Sequence, residues 1–197
     1  MIVHYYEGSA LAHPGNPPGK EVTLDDRHKT AWRLFTGASD YPGGQRNFLF
    51  RAEPLGPNRH LFMLRSAEPF PGGAPREIDL RKGARLNLEW VMSPTITAGV
   101  PVHGQRGKHM PAPRERWPEV VASRLAASGL TLADPQGLEV LEWTSVRHVR
   151  RKKGRFTVAQ FRAAVTVSDP IKAASAWLDG VGRKKGYGMG MLCQVAD

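Results

Sequence analysis

The order of strand and helix patterns in the second half of the chain limits the folds available to it. A strand pattern comes first, an amphipathic helix follows, two long strands come next, and a second helix and a short strand close the chain. In chain order, these patterns cover residues 85–91, 114–128, 138–150, 155–167, 170–178 and 191–195. The β-α-β-β-α-β order predicts a ferredoxin-like domain, an arrangement that RNA-recognition domains also use.

The last helix of this half carries clear sequence signals. Asp169 is a good N-cap, and Pro170 is well suited to the first helical position. Helical spacing predicts that its apolar face consists of Ile171, Ala174, Trp177 and Leu178.

The first half of the chain has the pattern of an incomplete copy of the same fold. Strand patterns cover residues 2–7, 47–53, 60–65 and 77–80, and a helix from Thr23 to Gly37 follows the first of them. No second helix is evident. We therefore predict an α+β protein with tandem ferredoxin-like (RRM-like) domains, residues 1–85 and 86–197, of which the N-terminal one is degenerate. The aromatic signature of RNA-recognition strands is missing, which argues against base stacking on the sheet.

The charge of the chain favours a polyanionic partner. Lys and Arg number 28 against 18 Asp and Glu, giving a net charge of +10. The two halves differ, because residues 1–85 hold 12 basic and 9 acidic side chains, whereas residues 86–197 hold 16 and 9. The second half is therefore the better candidate for binding a polyanion.

The compartment follows from cysteine usage and hydropathy. Cys193 is the single cysteine and cannot form an internal disulfide, which fits a reducing environment and a small buried residue. No apolar run approaches the roughly 18 residues of a membrane helix, and no signal peptide opens the chain. We expect a soluble cytoplasmic protein with no membrane partner.

A stretch of glycines and cations at residues 179–192 precedes the last strand. It contains Gly182, Arg183, Lys184, Lys185 and Gly186. Glycine lets backbone N–H groups approach an anion, and the cations attract phosphates. The stretch follows a helix and precedes a strand, so it is not a Rossmann fingerprint, and no Ser or Thr follows a Gly-Lys pair as in a P-loop. Two interpretations stay open, a phosphate-binding loop and a flexible connection.

A second basic cluster lies where the two long strands meet. It contains Arg147, Arg150, Arg151, Lys152, Lys153 and Arg155. Such a run is often only a solvated turn. Because it shares a domain with the glycine-rich stretch, we expect the two basic loops to grip phosphates of an RNA duplex or hairpin between them.

His28 lies on the apolar side of the first helix, one turn from its start. A histidine there is often a packed residue with one hydrogen bond. The functional alternative is an imidazole at the rim of a cleft, which can remove a proton from an RNA 2′-hydroxyl or donate one to a leaving 5′-oxygen.

Residues 94–113 have no regular pattern and are expected to be irregular. A stretch this long inside a compact domain is either functional or disordered. His103 and His109 lie in it, but neither Cys nor further His residues support them, so we predict no metal site and no cofactor.

Four segments together resemble the CasE-type subunit of the CRISPR Cascade complex, within the wider family of repeat-associated (RAMP) endoribonucleases. They cover residues 27–35, 46–51, 149–153 and 180–192. The resemblance implies a tandem ferredoxin-like fold that binds a CRISPR repeat stem-loop and cuts precursor CRISPR RNA at the 3′ base of the hairpin without a metal. It also implies 2′,3′-cyclic phosphate and 5′-hydroxyl products, and a protein that stays on the crRNA in a Cascade-like effector complex. In this resemblance His28 falls at the catalytic histidine.

One departure from the family pattern concerns the residue three positions before the histidine. The similar proteins place a tyrosine there, and this chain has Asp25, which cannot donate a hydrogen bond as a neutral phenol does and repels phosphate. Asp25 could instead orient His28, or another residue could serve; the candidates are Tyr5, Tyr6, Lys29 and Tyr187. This departure motivates an alternative function, a hairpin-binding subunit that does not cut. A third interpretation is a basic RNA-binding or ribosome-associated module unrelated to CRISPR.

Overall fold

The computed structural model describes residues 1–14, 22–38, 46–56, 58–98, 108–147 and 155–196. Its strands form two larger antiparallel sheets, and a two-stranded hairpin forms a third. Among the described residues, no helix is long and apolar enough to cross a membrane.

The first sheet has the ferredoxin-like strand order, and all of its neighbouring strands run antiparallel. It consists of β1 (Ile2–Ala12), β2 (Phe48–Pro54), β3 (His60–Ser66) and β4 (Ala74–Asp79). The strands lie in the order β2-β3-β1-β4. The segment between β3 and β4 contains bends and a turn but no helix, so the degenerate form of this domain is confirmed.

Helix α1 (Leu24–Thr36) packs on this sheet, with the ends that the sequence predicts. The Asp26 N–H donates to Thr23 Oγ1 at 3.2 Å, and the Thr23 N–H donates to Asp26 Oδ2 at 2.9 Å. This reciprocal capping box satisfies two N–H groups that the helix itself cannot pair. At the other end, Gly37 has a φ of 68°, a left-handed conformation that glycine adopts without steric cost.

The second sheet repeats the ferredoxin-like strand order. It consists of β5 (Arg85–Met92), β8 (Leu130–Leu132), β9 (Glu139–Arg147), β10 (Arg155–Val167) and β11 (Cys193–Gln194). The order is β11-β5-β10, and both β8 and β9 pair with the outer side of β10. Strand β8 was not predicted, and β11 is shorter than the predicted 191–195. The tandem ferredoxin-like fold is confirmed, whereas the domain boundary at residues 85 and 86 stays a prediction.

Two helices cover the second sheet. A 3-10 turn (Arg114–Arg116) leads into α2 (Trp117–Ala127), and α3 is Pro170–Asp179. Asp169 caps α3 as predicted, but part of its predicted face is wrong. Ile171 is 77% exposed, and the buried side chains are Ala173, Ala176 and Trp177. Trp177 is buried as predicted, and Ala174 and Leu178 are partly buried against the core, so Ile171 is the wrong member of the predicted face. Trp177 packs against Tyr5 of the first sheet, a contact that helical spacing alone does not reveal.

The stretch that was expected to be irregular contains two short strands. They are β6 (Thr95–Ala98) and β7 (Lys108–Pro111), and they pair antiparallel with Ala98 opposite Lys108. Residues 99–107, which include His103, lie outside the described residues. The prediction of an irregular stretch is therefore wrong at both of its ends.

One apolar core joins the two halves of the chain. It includes Val3, Tyr5 and Ile78 from the first sheet and Trp90 and Phe161 from the second. A second cluster holds α1 on the first sheet through the aromatic rings of Trp32, Phe35, Phe48, Phe50 and Phe62. The shared core fixes α1 relative to the second sheet, and this geometry brings the candidate site together.

Candidate nucleic-acid interface

His28 lies on α1, half-buried above the aromatic cluster. Its ring centroid is 6.4 Å from that of Phe50, and the two planes are inclined by 49°. Phe50 is fully buried in β2. The histidine is thus held against the first sheet by an aromatic neighbour, on the side of α1 that the sequence predicts.

The glycine-rich loop, residues 180–190, packs on the same phenylalanine. A Cβ atom on Gly188 would lie 2.9 Å from a ring carbon of Phe50, and the φ of Gly188 is 81°. Both the close approach and the left-handed backbone require glycine here. Phe50 is therefore a neighbour of both His28 and Gly188.

Arg46 ties the loop to the first sheet from a second direction. Its Nη1 donates a hydrogen bond to the carbonyl oxygen of Lys185. Its guanidinium lies 5.8 Å from the ring centroid of Phe48 and 6.0 Å from that of Phe50. Burial lowers the pKa of Arg46 to about 10, so the side chain still carries its charge at neutral pH.

A cavity of about 650 Å³ opens between α1, β2, β9 and the glycine-rich loop. Its polar lining includes side chains that donate hydrogen bonds or carry positive charge. They are Thr23 and Arg27 of the α1 end, Arg51 of β2, Thr144 and Ser145 of β9, and Tyr187 of the loop. His28 does not itself line the cavity, but its aromatic neighbour Phe50 packs against Gly188, which does. Cations and hydroxyl groups around a concave space suit a phosphate-bearing ligand.

Arg51 is buried and is held in place by carboxylates. Its Nη2 lies 2.7 Å from an oxygen of Glu89 and 2.7 Å from an oxygen of Glu53. Glu89 also accepts from Gln160 at 2.8 Å and from Arg162 at 2.9 Å. Burial by itself raises the pKa of Glu89, but the hydrogen bonds from Arg51 and Arg162 outweigh it and hold that pKa below its usual value. This network joins β2 of the first sheet to β5 and β10 of the second.

The cations predicted in the glycine-rich loop have defined positions. Lys184 has a φ of 66°, and its ammonium lies 4.9 Å from the ring centroid of Phe156 and 5.9 Å from that of Tyr187. Arg183 reaches away from the cavity to His109 on β7, at 2.6 Å. Lys185 is half-buried beside Arg46, and Gly182 and Gly186 complete the loop.

The predicted basic hairpin is only partly described. Strands β9 and β10 pair antiparallel, with Arg147 opposite Arg155 next to the hairpin tip. Arg150, Arg151, Lys152 and Lys153 lie outside the described residues, as do the side chains of Arg147 and Arg155. Their role in binding RNA stays a prediction.

The structure distinguishes among the four residues that could replace the tyrosine found in similar proteins at the position of Asp25. Tyr5 is buried against Trp177 at a centroid distance of 5.8 Å, and burial raises the pKa of its phenol. Tyr6 lies on β1 in the first sheet, and Lys29 is exposed on α1. Tyr187 is the one of the four that lines the cavity.

Sequence reasoning missed Arg27, Arg46 and Arg51 as parts of the site. Arg27 and Arg46 begin two of the segments that carry the family resemblance, and Arg51 ends one of them, so a signal was present. What no pattern shows is that these segments meet. Within the described residues, no three His, Cys, Asp or Glu side chains lie together as metal ligands would.

The fold and this basic domain junction define a protein of two ferredoxin-like domains with a histidine, a glycine-rich loop and several arginines where the domains meet. The chain belongs to the CRISPR associated protein family, whose model matches residues 17–194. Among curated proteins, none shows significant sequence similarity to the chain.

Solved structures have the same fold. The CRISPR endoribonuclease Cse3 bound to a 19-nucleotide RNA is 17% identical, with a TM-score of 0.73 and 98% of each chain covered. Thermus thermophilus Cse3 bound to an RNA that represents a pre-cleavage complex is 19% identical, with a TM-score of 0.71, 98% of this chain covered and 100% of that one. Cas6e from Escherichia coli K-12 is 18% identical, with a TM-score of 0.63, covering 97% and 98% of the two chains.

Proposed function

We propose that this protein binds the stem-loop of a CRISPR repeat and cleaves precursor CRISPR RNA at the 3′ base of the hairpin. The observation that carries the proposal is that His28 and Gly188 of the glycine-rich loop both neighbour Phe50, and that Gly188 lines a cavity with Arg27 and Arg51 in its wall. Membership of the CRISPR associated protein family supports it. The similar structures of the CRISPR endoribonuclease Cse3 bound to RNA and of Cse3 bound to an RNA that represents a pre-cleavage complex support the same activity.

The proposed chemistry needs a group that moves a proton and groups that neutralise a phosphate. The 2′-oxygen of the nucleotide before the cut attacks the adjacent phosphorus and loses its proton. The bond from phosphorus to the 5′-oxygen breaks, and that oxygen gains a proton. The products are a 2′,3′-cyclic phosphate and a 5′-hydroxyl. His28 is proposed as the general acid–base, because imidazole titrates near neutral pH.

The electrostatics of the junction fit this reaction. Charge builds up on the phosphate oxygens in the transition state, and fixed cations in a partly enclosed space stabilise it. Arg27 lies on the cavity wall, and Arg51 is held rigidly there by Glu53 and Glu89. Tyr187, on the same wall, has a phenol group, which the side chain of Asp25 cannot supply. We propose that these groups surround the scissile phosphate.

The basic hairpin and the glycine-rich loop are proposed to hold the RNA stem, through Arg147, Arg150, Arg151, Lys152, Lys153 and Arg155 and through Gly182, Arg183, Lys184, Lys185 and Gly186. After cleavage the protein is proposed to stay on the crRNA and to join other subunits of a Cascade-like effector complex. A chain of a CRISPR RNA-guided surveillance complex with the same fold, 22% identical and with a TM-score of 0.62, supports this partnership.

The direct test is to incubate the protein with the repeat RNA from its own genome, with and without EDTA, and to analyse the RNA ends by mass spectrometry. We expect one cut at the 3′ base of the stem, a cyclic phosphate on the upstream fragment, and the same rate in EDTA. A 3′-hydroxyl end, or activity abolished by EDTA, would contradict the proposed chemistry.

A second candidate function is a hairpin-binding subunit that does not cut. The observation that favours it is Asp25, which replaces a phenol with a carboxylate in the first turn of α1. Tight binding of the repeat RNA that leaves it intact over long incubation would support this alternative. The same incubation therefore separates the two candidates.

A further inference from the structure

A second groove, of about 290 Å³, lies between the β6–β7 hairpin and α2, away from the His28 cavity. Its polar lining consists of three hydroxyl groups, two guanidinium groups and one carboxylate. They belong to Thr95, Thr97, Ser123, Arg116, Arg124 and Glu119. Hydroxyl and guanidinium donors together are the groups that proteins use to bind phosphate oxygens.

The carboxylate of the groove is already paired. Glu119 accepts from Arg116 at 2.9 and 3.1 Å through both of its oxygens. Among the residues that the structure describes, neither Arg124 nor Arg183 forms an ion pair. The groove and its rim therefore carry an excess of positive charge, which favours an anionic ligand.

His109 connects this groove to the glycine-rich loop. Arg183 Nη1 lies 2.6 Å from His109 Nε2, and His109 Nδ1 lies 3.3 Å from Thr97 Oγ1. Because arginine can only donate, Nε2 accepts and the ring is neutral, with its proton on Nδ1. Local desolvation by neighbouring groups and the charges of Arg183 and Arg124 lower the pKa of His109, which is consistent with this neutral ring. A physical contact thus runs from the loop through Arg183 and His109 to the lining of the groove.

The strand register places the groove at the end of the second sheet where β5 ends and β10 begins, the end from which both basic loops extend. Met92, the last residue of β5, lies opposite Ala159 near the start of β10, whose first residue follows the hairpin tip. The Gly190 N–H donates to the Val91 carbonyl at 2.7 Å, so the glycine-rich loop lies there too. The β6–β7 hairpin follows β5 directly at that end of the sheet.

We propose that this groove binds the phosphodiester backbone of single-stranded RNA that flanks the repeat hairpin. The inference rests on the proposed function, because the hairpin must first be held by the two basic loops. RNA is favoured over an acidic protein surface because the Arg183–His109 contact connects the groove to the glycine-rich loop, which is itself proposed to hold RNA. The described lining contains no aromatic ring on which a base could stack, so the contact is to the backbone and does not depend on base sequence.

The test compares two RNAs, the bare repeat hairpin and the hairpin with a single-stranded extension of about eight nucleotides on its 5′ or its 3′ side. Dissociation constants are measured over a series of salt concentrations for the wild-type protein and three variants. Arg124→Gln removes one charge from the groove, and Ser123→Asp adds a carboxylate at an exposed position of α2. Arg85→Gln is the matched control, because Arg85 is exposed at the opposite end of β5.

We expect one extended RNA to bind the wild-type protein more tightly than the bare hairpin and with a steeper salt dependence. Arg124→Gln should weaken the binding of that RNA about fivefold and reduce the slope of log affinity against log salt by about 0.7, the value for one lost phosphate contact to a single strand. Ser123→Asp should weaken it more, and Arg85→Gln should behave as the wild type. All four proteins should bind the bare hairpin equally.

Two results would overturn the inference while leaving the proposed function intact. One is tight hairpin binding with no gain from either extension. The other is a loss of affinity in the groove variants that is equal for the bare and the extended RNA. A wild-type protein that binds neither RNA would overturn the proposed function, and the inference would fall with it.

Discussion

The Arg65 guanidinium lies 3.9 Å from the ring centroid of Trp177, stacked over the indole at the junction of the two sheets. Arg65 is 1% exposed. Its Nη1 donates to the carbonyl of Leu192 at 2.8 Å, and its Nε and Nη2 donate to Glu7 at 2.9 and 2.6 Å. One side chain of β3 therefore fixes α3 and the backbone just after the glycine-rich loop against the first sheet.

Arg65→Leu should destabilise the protein by about 3 kcal/mol, because it leaves the Glu7 carboxylate and a buried carbonyl without their donor. Urea unfolding measures the change. Arg81→Leu is the control, since Arg81 pairs with Asp79 at an exposed site, where an ion pair contributes little to stability. Equal effects of the two substitutions would contradict the role assigned to Arg65.

Gly188→Ala should destabilise the protein by about 1–3 kcal/mol, since a Cβ atom there meets Phe50 and forces a non-glycine residue into a left-handed backbone. It should also slow RNA cleavage, because the loop moves away from α1. Gly186→Ala is the matched control in the same loop. A Cβ on Gly186 would meet nothing within 4 Å, so its unfolding free energy should change by less than about 0.5 kcal/mol.

The Glu89 network predicts a loss of stability in acid. The pKa of Glu89 is lower in the folded protein than its ordinary value near 4.5. Its contribution is therefore complete above about pH 4.5 and disappears as the pH falls through the lower folded-state pKa. We expect urea unfolding at a series of pH values from about 7 down to about 3 to show that the free energy of unfolding falls less steeply in acid for Glu89→Gln than for the wild type. Glu115→Gln, at an exposed site, should retain the wild-type profile.

Local signals in the sequence predicted much of the fold. The capping box at Thr23, the terminating Gly37 and the Asp169 cap all depend on neighbours within a few residues, and their structures agree with expectation. The order of the elements then specified the ferredoxin-like topology, because few arrangements connect such elements.

The junction could not be predicted from local signals. Phe50 and Gly188 are far apart in sequence, and nothing in a strand pattern indicates that one covers the other. Arg51 and Glu89 both lie on strands whose alternation describes burial but not pairing across two sheets. Helical spacing predicts that Trp177 is buried, but it does not reveal the contacts of Trp177 with Tyr5 and Arg65 of the first sheet.

The most direct test of the central claim is single-turnover cleavage of the repeat RNA by His28→Ala, measured together with hairpin affinity. His4→Ala is the control, a histidine exposed on β1. A substrate with a 2′-deoxy nucleotide at the cut site tests the attacking group separately. We expect His28→Ala to bind the hairpin as the wild type does and to cleave about 10²- to 10⁴-fold more slowly. Cleavage by His28→Ala at the wild-type rate would contradict the assignment of His28 as the general acid–base.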